Sequence, residues 1–428
     1  MTSVQDRAAA ARHASLRLRG TSADERNAAL EAVAHALEER RGEITAANDA
    51  DRAAGSGLAP PLAKRLAFGS GKQEQAVRGV RSVAALPDPL GKVLSRRELD
   101  TELILSQETT PIGVIAMIFE SRPDALVQIA SLALKSGNAL ILKGGSEARE
   151  SNRILAEVVS SSSTAAGMPE GWIQLVETRE DVGELLGLDE YIDLMIPRGS
   201  NEFVRYIMDH TRIPVLGHAD GLCHVYLDRD VDVARAAAVT VDSKTQYVAV
   251  CNAAETLLVH RDAAEQVLPV VAAALEERGV ELRGCERSRR LVPSMIPARQ
   301  DDWETEYLDL IISVKVVDDI ESAIDHINRY GSGHTDAIVS DNPEAQRRFE
   351  SAVDSASVMV NASTRFADGF RYGLGAEVGI STSRIHARGP VGVEGLITYR
   401  WIVRGTGQVV SDYESGTKRY THRDLPLS

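Results

Sequence analysis

From residue 113 to residue 209 the chain alternates short apolar runs with amphipathic stretches, and this rhythm limits the possible folds more than any other feature. Residues 113–119, 139–142, 173–176 and 191–196 read as strands. Residues 124–136, 147–159, 180–186 and about 200–209 read as the helices between and after them. Repeated strand–helix–strand units predict a parallel sheet covered by helices on both faces. A second alternating block begins near Asp230 and runs through Val339 into a glycine-rich stretch after Asn361. With 428 residues the chain exceeds what one core supports, so at least two domains are expected. Upstream, residues 4 to about 50 read as two helices, the second starting at Thr21 or Ser22. The run 160–163, all serine, reads as a loop, and the residues beyond Ser411 as a poorly ordered polar tail.

Composition narrows the partners. A net charge of −14 repels nucleic acid and anionic membranes, so neither is an expected partner and any anionic ligand must meet a local cationic pocket. The three cysteines, Cys223, Cys251 and Cys285, are odd in number and irregularly spaced, which gives no disulfide framework and no zinc-ligand pattern. No metal is expected, and a reduced, cytoplasmic setting is. No apolar run approaches the roughly 20 residues that span a bilayer.

Several segments place reactive side chains at element boundaries. An alanine- and valine-rich helix over 233–241 leads into a polar loop that delivers Cys251, followed by Asn252 and a short strand over 256–259. A nucleophilic thiol needs such a boundary, with backbone N–H groups near enough to receive an oxyanion. Cys223 lies in an apparent strand and Cys285 in an Arg/Glu-rich segment, so both read as structural. No G-x-G-x-x-G turn occurs. Two other strand-to-helix junctions compete for a nucleotide: Asn138-Ala-Leu-Ile-Leu-Lys-Gly-Gly-Ser-Glu147 and Ile196-Pro-Arg-Gly-Ser200. Free N–H groups at such helix starts favour anions. Further on, Ala323-Ile-Asp-His-Ile-Asn-Arg-Tyr-Gly-Ser-Gly-His-Thr-Asp336 reads as a helix ending at Gly331, then a polar loop presenting His334, Thr335 and Asp336.

Taken together, these segments resemble the γ-glutamyl phosphate reductase family, a branch of the aldehyde dehydrogenase superfamily. The resemblance extends from about residue 5 to Gly407. It implies an α/β, aldehyde dehydrogenase-like fold: two parallel-sheet α/β domains plus a small β oligomerisation element. Residues 1–100 and 113–228, with part of 362–392, would form the nucleotide-binding domain, and 229–361 the catalytic domain. Residues 101–112 and 393–412 would be the oligomerisation strands of a homodimer or larger homo-oligomer, with 413–428 as tail. It further implies NADPH/NADP as cofactor, with Lys143 and Ser146 at the adenosine ribose and its phosphate, Gly199 and Ser200 at the pyrophosphate, and Glu306 at the nicotinamide ribose. Cys251 would be the nucleophile. Arg122, His218, Asn361, Ser363 and Arg365 would bind L-glutamyl 5-phosphate, whose reduction to the 5-semialdehyde with release of phosphate serves L-proline biosynthesis. The resemblance leaves room for a transient contact with the glutamate kinase that makes the acyl phosphate.

Three departures or cautions accompany it. Leu216-Gly-His-Ala-Asp220 stands where hydrolytic aldehyde dehydrogenases carry Glu-Leu-Gly-Gly-Lys, so a thioester here is suited to exchange with phosphate rather than water. Val248 stands where proline is expected. Glu147, close to Lys143, is a carboxylate that would repel a 2′-phosphate. The rival readings are a general or CoA-acylating dehydrogenase and a non-enzymatic descendant of the fold.

Overall fold

The strand Val114–Phe119 is apolar at all six positions and buried throughout. A run of this kind has no solvent face and must lie inside a sheet covered on both sides. The computed structural model, which describes residues 3–58, 60–120, 122–217 and 220–427, places it there. It pairs in parallel with Ala139–Lys143 on one side and Leu194–Arg198 on the other, and Ile173–Val176 completes a four-stranded sheet. Alternate residues then serve opposite cores. Ile115, Met117 and Phe119 join a cluster with Leu126, Ile129 and Ala133 of the helix Pro123–Lys135. Val114, Ala116 and Ile118 join Val182, Leu185 and Ile207 on the other face.

A second parallel sheet of seven strands follows in the order Ile296–Pro297, Glu281–Gly284, Ile311–Val317, Ala254–His260, Cys223–Leu227, Thr335–Val339 and Ser357–Val360. The third sheet is antiparallel and four-stranded, running Ile397–Arg404, Leu103–Pro111, Val93–Asp100 and Arg423–Asp424. Ile397–Arg404 lies at its edge with Tyr399, Trp401 and Val403 exposed.

The structure corrects several expectations. The N-terminal segment holds three helices, Val4–Leu18, Ala23–Glu39 and Arg41–Ala54. Ser22 caps the second through a reciprocal box with Glu25, while the single non-helical residue Arg40 (φ −91°, ψ 18°) separates the second from the third. The serine run 160–163 is the last part of the helix Arg149–Ala165, not a loop. Its hydroxyls donate back to carbonyls one turn earlier, Ser162 Oγ to Val158 O at 2.6 Å and Ser163 Oγ to Val159 O at 2.6 Å. Trp172 Nε1 then donates to Ser163 Oγ at 2.9 Å, so this one serine of the run is buried in the core while Ser161 faces solvent. The residues after Ser411 are folded: Val410–Glu414 is helical and Arg423–Asp424 pairs with Val93–Asp100. Residues 93–100, expected in the nucleotide-binding part, belong instead to the antiparallel sheet.

Asn138 fixes where the first sheet begins. It is fully buried, accepts from Gly113 N at 2.8 Å, and donates to Ser136 Oγ at 2.8 Å and Leu396 O at 2.7 Å. One side chain thus joins two strand starts to the turn before the antiparallel sheet's edge strand. Asn138→Ala would orphan the Gly113 N–H and the Leu396 carbonyl, with an expected loss of about 3 kcal/mol in urea unfolding. A loss below about 1 kcal/mol would mean that water replaces the amide.

Candidate active site

Gly221 lies at the centre of the site. A Cβ at this position would fall 2.3 Å from Cys251 O and 2.6 Å from Glu306 Oε1. No side chain other than hydrogen fits, so the backbone of 221 is the spacer between the cysteine loop and the Glu306 segment.

The loop that delivers Cys251 starts later than its sequence pattern predicts. The helix runs Val233–Thr245, and the strand resumes at Ala254–His260. Between them the backbone is tied from below. Cys223 Sγ donates to Cys251 O at 3.2 Å, Thr364 Oγ1 donates to Asn252 O at 2.7 Å, and Asn252 Nδ2 donates to Ala367 O at 2.8 Å. Lys244 and Glu255, fully buried at either end of the loop, form an ion pair of 2.6 Å. Burial lowers the Lys244 ammonium and raises the Glu255 carboxyl, each against the attraction of the other.

The half-buried Cys251 thiol is pushed up to about 12, first by burial and then by the Glu306 carboxylate; Arg198 pulls it down and Glu377 adds to the rise. Glu306 is itself raised by burial, against a hydrogen bond from Asn201 Nδ2 of 2.7 Å. Asn201 also donates to Asp220 Oδ1 at 2.9 Å, so the start of the helix Asn201–His210 is joined to Glu306. Arg198, at the end of its strand, is lowered by burial and then by the charge of Arg122, while Glu377 and Cys251 oppose that. Glu377 is raised by burial, partly offset by Arg198 and by a bond from Gly369 N at 2.8 Å. Arg365, buried, is lowered by burial and by Arg371, and Cys251 acts in the opposite sense.

Among the expected residues, Cys251, Glu306, Arg122 and Arg365 fall in this one neighbourhood, together with the helix start at Gly199 and Ser200. Arg122 also pairs with Asp124 at 2.9 Å. Arg365 Nε donates to Gln246 Oε1 at 3.0 Å, which ties it to the cysteine loop. Ser363 is buried, accepts from Ser243 Oγ at 3.2 Å and caps the turn Thr364–Phe366. Asn361, at φ +54°, accepts from Ser340 N at 3.0 Å and donates to Ser340 O at 2.9 Å. The amide and hydroxyl of these two are thus engaged with the scaffold. His218 lies outside the described residues.

Lys143 and Ser146 stand apart from the thiol, at the end of Ala139–Lys143. A cleft there is lined by Gly144, Gly145, Ser146, Arg149, Asn152 and Glu177, among others. A Cβ on Gly144 would fall 2.0 Å from Nδ2 of the buried Asn152, which favours the bare backbone there; one on Gly145 would meet only the carboxylate end of Glu147, which can move aside. Asn152 is buried in the cleft wall with its Oδ1 unpartnered. Small residues, an orphaned acceptor, Arg149 and a strand-end lysine fit a ribose with a nearby phosphate.

Sequence reasoning missed Lys244, Glu255, Arg198, Glu377 and Asn201. The usable signal for the first two was a lysine and a glutamate eleven residues apart flanking a loop with a single cysteine. It also misjudged the Gly-Ser-Gly-His-Thr-Asp segment. His334 and Asp336 are fully buried, and Thr335 begins the strand Thr335–Val339. Asp336 Oδ1 accepts from His224 N and faces His224 Nδ1, both at 2.8 Å, while His334 Nδ1 lies 3.8 Å from Cys223 Sγ. The segment supports the cysteine loop from beneath instead of presenting side chains to a ligand.

The family model for the aldehyde dehydrogenase family matches residues 2–308. The chain is 54% identical over 425 residues to the γ-glutamyl phosphate reductase of Acetivibrio thermocellus, covering 99% of this chain and 98% of that protein. It is 54% identical over 416 residues to the one from Pelotomaculum thermopropionicum, covering 97% and 96% respectively. The crystal structure of the Thermotoga maritima γ-glutamyl phosphate reductase superposes with a TM-score of 0.93 at 41% identity, covering 95% of this chain and 99% of that one.

With its thiol near 12, the unliganded protein should alkylate slowly at neutral pH. In a Cys285→Ser background, the rate of iodoacetamide reaction at Cys251 should climb about tenfold per pH unit up to about pH 10, because only the thiolate reacts. Glu306→Gln removes a charge that raises the thiol, so the whole profile should move to lower pH. A plateau below about pH 9 in the wild type would overturn this electrostatic account.

Proposed function

We propose, on the premise that the chain belongs to the aldehyde dehydrogenase family and within it to the γ-glutamyl phosphate reductases, that it reduces L-glutamyl 5-phosphate to L-glutamate 5-semialdehyde in L-proline biosynthesis. It is an oxidoreductase of that family. The finer reading is that NADPH is the reductant, that phosphate is released, and that the acyl group passes through a thioester on Cys251.

The observation that best supports this reading is the company of the thiol. In a chain of net charge −14, Arg122, Arg198 and Arg365 all lie within electrostatic reach of Cys251 or of one another. Guanidinium groups suit carboxylate and phosphoryl oxygens, and the substrate carries both. In the reductive direction, the Cys251 sulfur attacks the acyl carbon and its proton ends on the departing phosphate. The bond to the phosphate oxygen breaks with its electron pair, leaving the thioester. Arg198 and Arg365 favour this step by drawing the thiol toward its anion, and the guanidinium cluster favours it again by receiving the departing phosphate. A nicotinamide dinucleotide, when bound, would supply the hydride needed to take the acyl group to the aldehyde. Glu306 and the Gly199–Ser200 helix start would hold its near end, and Lys143 with Ser146 its adenosine end.

The edge strand Ile397–Arg404, with its exposed aromatic stripe, is proposed as the face on which a homo-oligomer closes. No helix among the described residues is long and apolar enough to cross a membrane.

The reading is tested in the oxidative direction. Glutamate semialdehyde and NADP should give NADPH only when phosphate or arsenate is present, and Cys251→Ala should abolish the reaction. Robust oxidation without phosphate, yielding free glutamate, would place the chain among hydrolytic dehydrogenases, with Glu306 or Glu377 as the base that Leu216 and Gly217 do not provide. Lys143→Ala should raise the KM for NADP about tenfold more than that for NAD, as expected from losing a cation beside a 2′-phosphate. Equal losses would assign the lysine a role shared by both cofactors.

A further inference from the structure

The chemistry above makes no use of Lys244 and Glu255, yet two fully buried charges 2.6 Å apart lie directly under it. Lys244 sits in the last turn of the helix that enters the cysteine loop, and Glu255 is the second residue of the strand that leaves it. The pair therefore closes the loop at its base. The second oxygen of Glu255 reaches further and accepts from Leu308 N at 3.3 Å. Leu308, at φ +52°, lies two residues after Glu306 in the same irregular segment. Tyr307 between them is held by its hydroxyl, 2.9 Å from Asp302 Oδ1 and 2.7 Å from Ser313 Oγ, with its ring 6.0 Å from Lys244 Nζ. One carboxylate thus touches both the foot of the nucleophile loop and the segment carrying the carboxylate proposed for the cofactor. The gap these two segments leave is filled by the Gly221 backbone with no room to spare.

We infer that Lys244 and Glu255 are positioning residues, which hold the Cys251 loop and the Glu306 segment at one fixed separation so that thiol and cofactor-side carboxylate form a single unit. A buried ion pair is a poor source of net stability, because desolvation offsets most of the attraction, and apolar replacements of similar volume are often tolerated. What such a pair does supply is direction: an ammonium and a carboxylate at hydrogen-bond distance specify a geometry that packing alone leaves looser. The inference rests on the reading of Cys251 as nucleophile and Glu306 as cofactor ligand.

The test is a double-mutant cycle in the full-length enzyme. Lys244→Met/Glu255→Leu, Glu306→Gln and their combination are compared for thermal unfolding and for kcat/KM with NADP in phosphate-dependent oxidation of glutamate semialdehyde. The apolar double variant should unfold within a few degrees of the wild type while kcat/KM falls at least about tenfold. Adding Glu306→Gln should then cost less than about threefold more, because the contact it removes is already displaced; residues that act as a unit are not additive. If the folded double variant keeps wild-type turnover, or if the two penalties multiply in full, the inference is overturned. Should the double variant fail to fold, Glu255→Gln, which keeps the shape, is put through the same cycle: a sub-multiplicative penalty with Glu306→Gln supports the inference, and full turnover or full multiplication overturns it. Failure of the underlying reading looks different, since Cys251→Ala would then retain activity.

Discussion

A loop that must expose a thiol while its own carbonyls face a packed interior has to find donors for them, and the architecture around Cys251 follows from that requirement. The carbonyl of Cys251 receives the Cys223 S–H from the neighbouring strand, and that of Asn252 receives the Thr364 hydroxyl from the segment after the last strand of the sheet. Each donor needs support of its own. Cys223 is backed by His334, Thr364 N donates to Ser243 Oγ at 3.1 Å, and Asn252 returns a bond to Ala367 O. The interlocking accounts for the burial of Cys223, His334 and Asp336, polar or reactive side chains held by partners of the scaffold. It also explains why polar groups can lie so deep at little cost, since most of them have a partner.

How legible this was depended on the kind of residue. Strands such as Val114–Phe119 and Ile173–Val176 were readable because local periodicity and burial agree there. The serine run misled because serine favours loops unless its hydroxyl can bond back within a helix, which is settled by packing against Trp172, far from the local pattern. Cys251 was legible as a single thiol at an element boundary. Arg198 and Glu377 were not: each lies inside a segment noticed for its glycines, and only the fold brings them to the thiol. The Gly-Ser-Gly-His-Thr-Asp segment was legible as a marker and not as a structure. Its polarity suggests exposure, but the third dimension supplies His224 and Cys223 as buried partners.

The electrostatics resolve an apparent conflict between composition and task. An acidic protein that handles a doubly anionic substrate cannot draw it in by its overall field, and instead concentrates a few guanidinium groups where the field matters. Burial makes those arginines harder to keep charged, and in the same stroke makes their pull on a neighbouring anion stronger. Glu306 and Glu377 counterbalance them and, together with burial, hold the thiol in its protonated form.

At the site, a strand end of the first parallel sheet lies beside a strand start of the second. Arg198 and Lys143 end their strands, whereas Cys251 and Thr335 stand just before or at the beginning of theirs. The groups that set the acidity of the thiol are divided across that seam, with Arg198 on the first sheet and Glu306 beside the second. Any change in the width of the seam therefore alters the proton affinity of the sulfur before a single bond to substrate is made. A substitution that moved Arg198 or Glu306 away from the sulfur would in the same way change its acidity without touching the thiol itself.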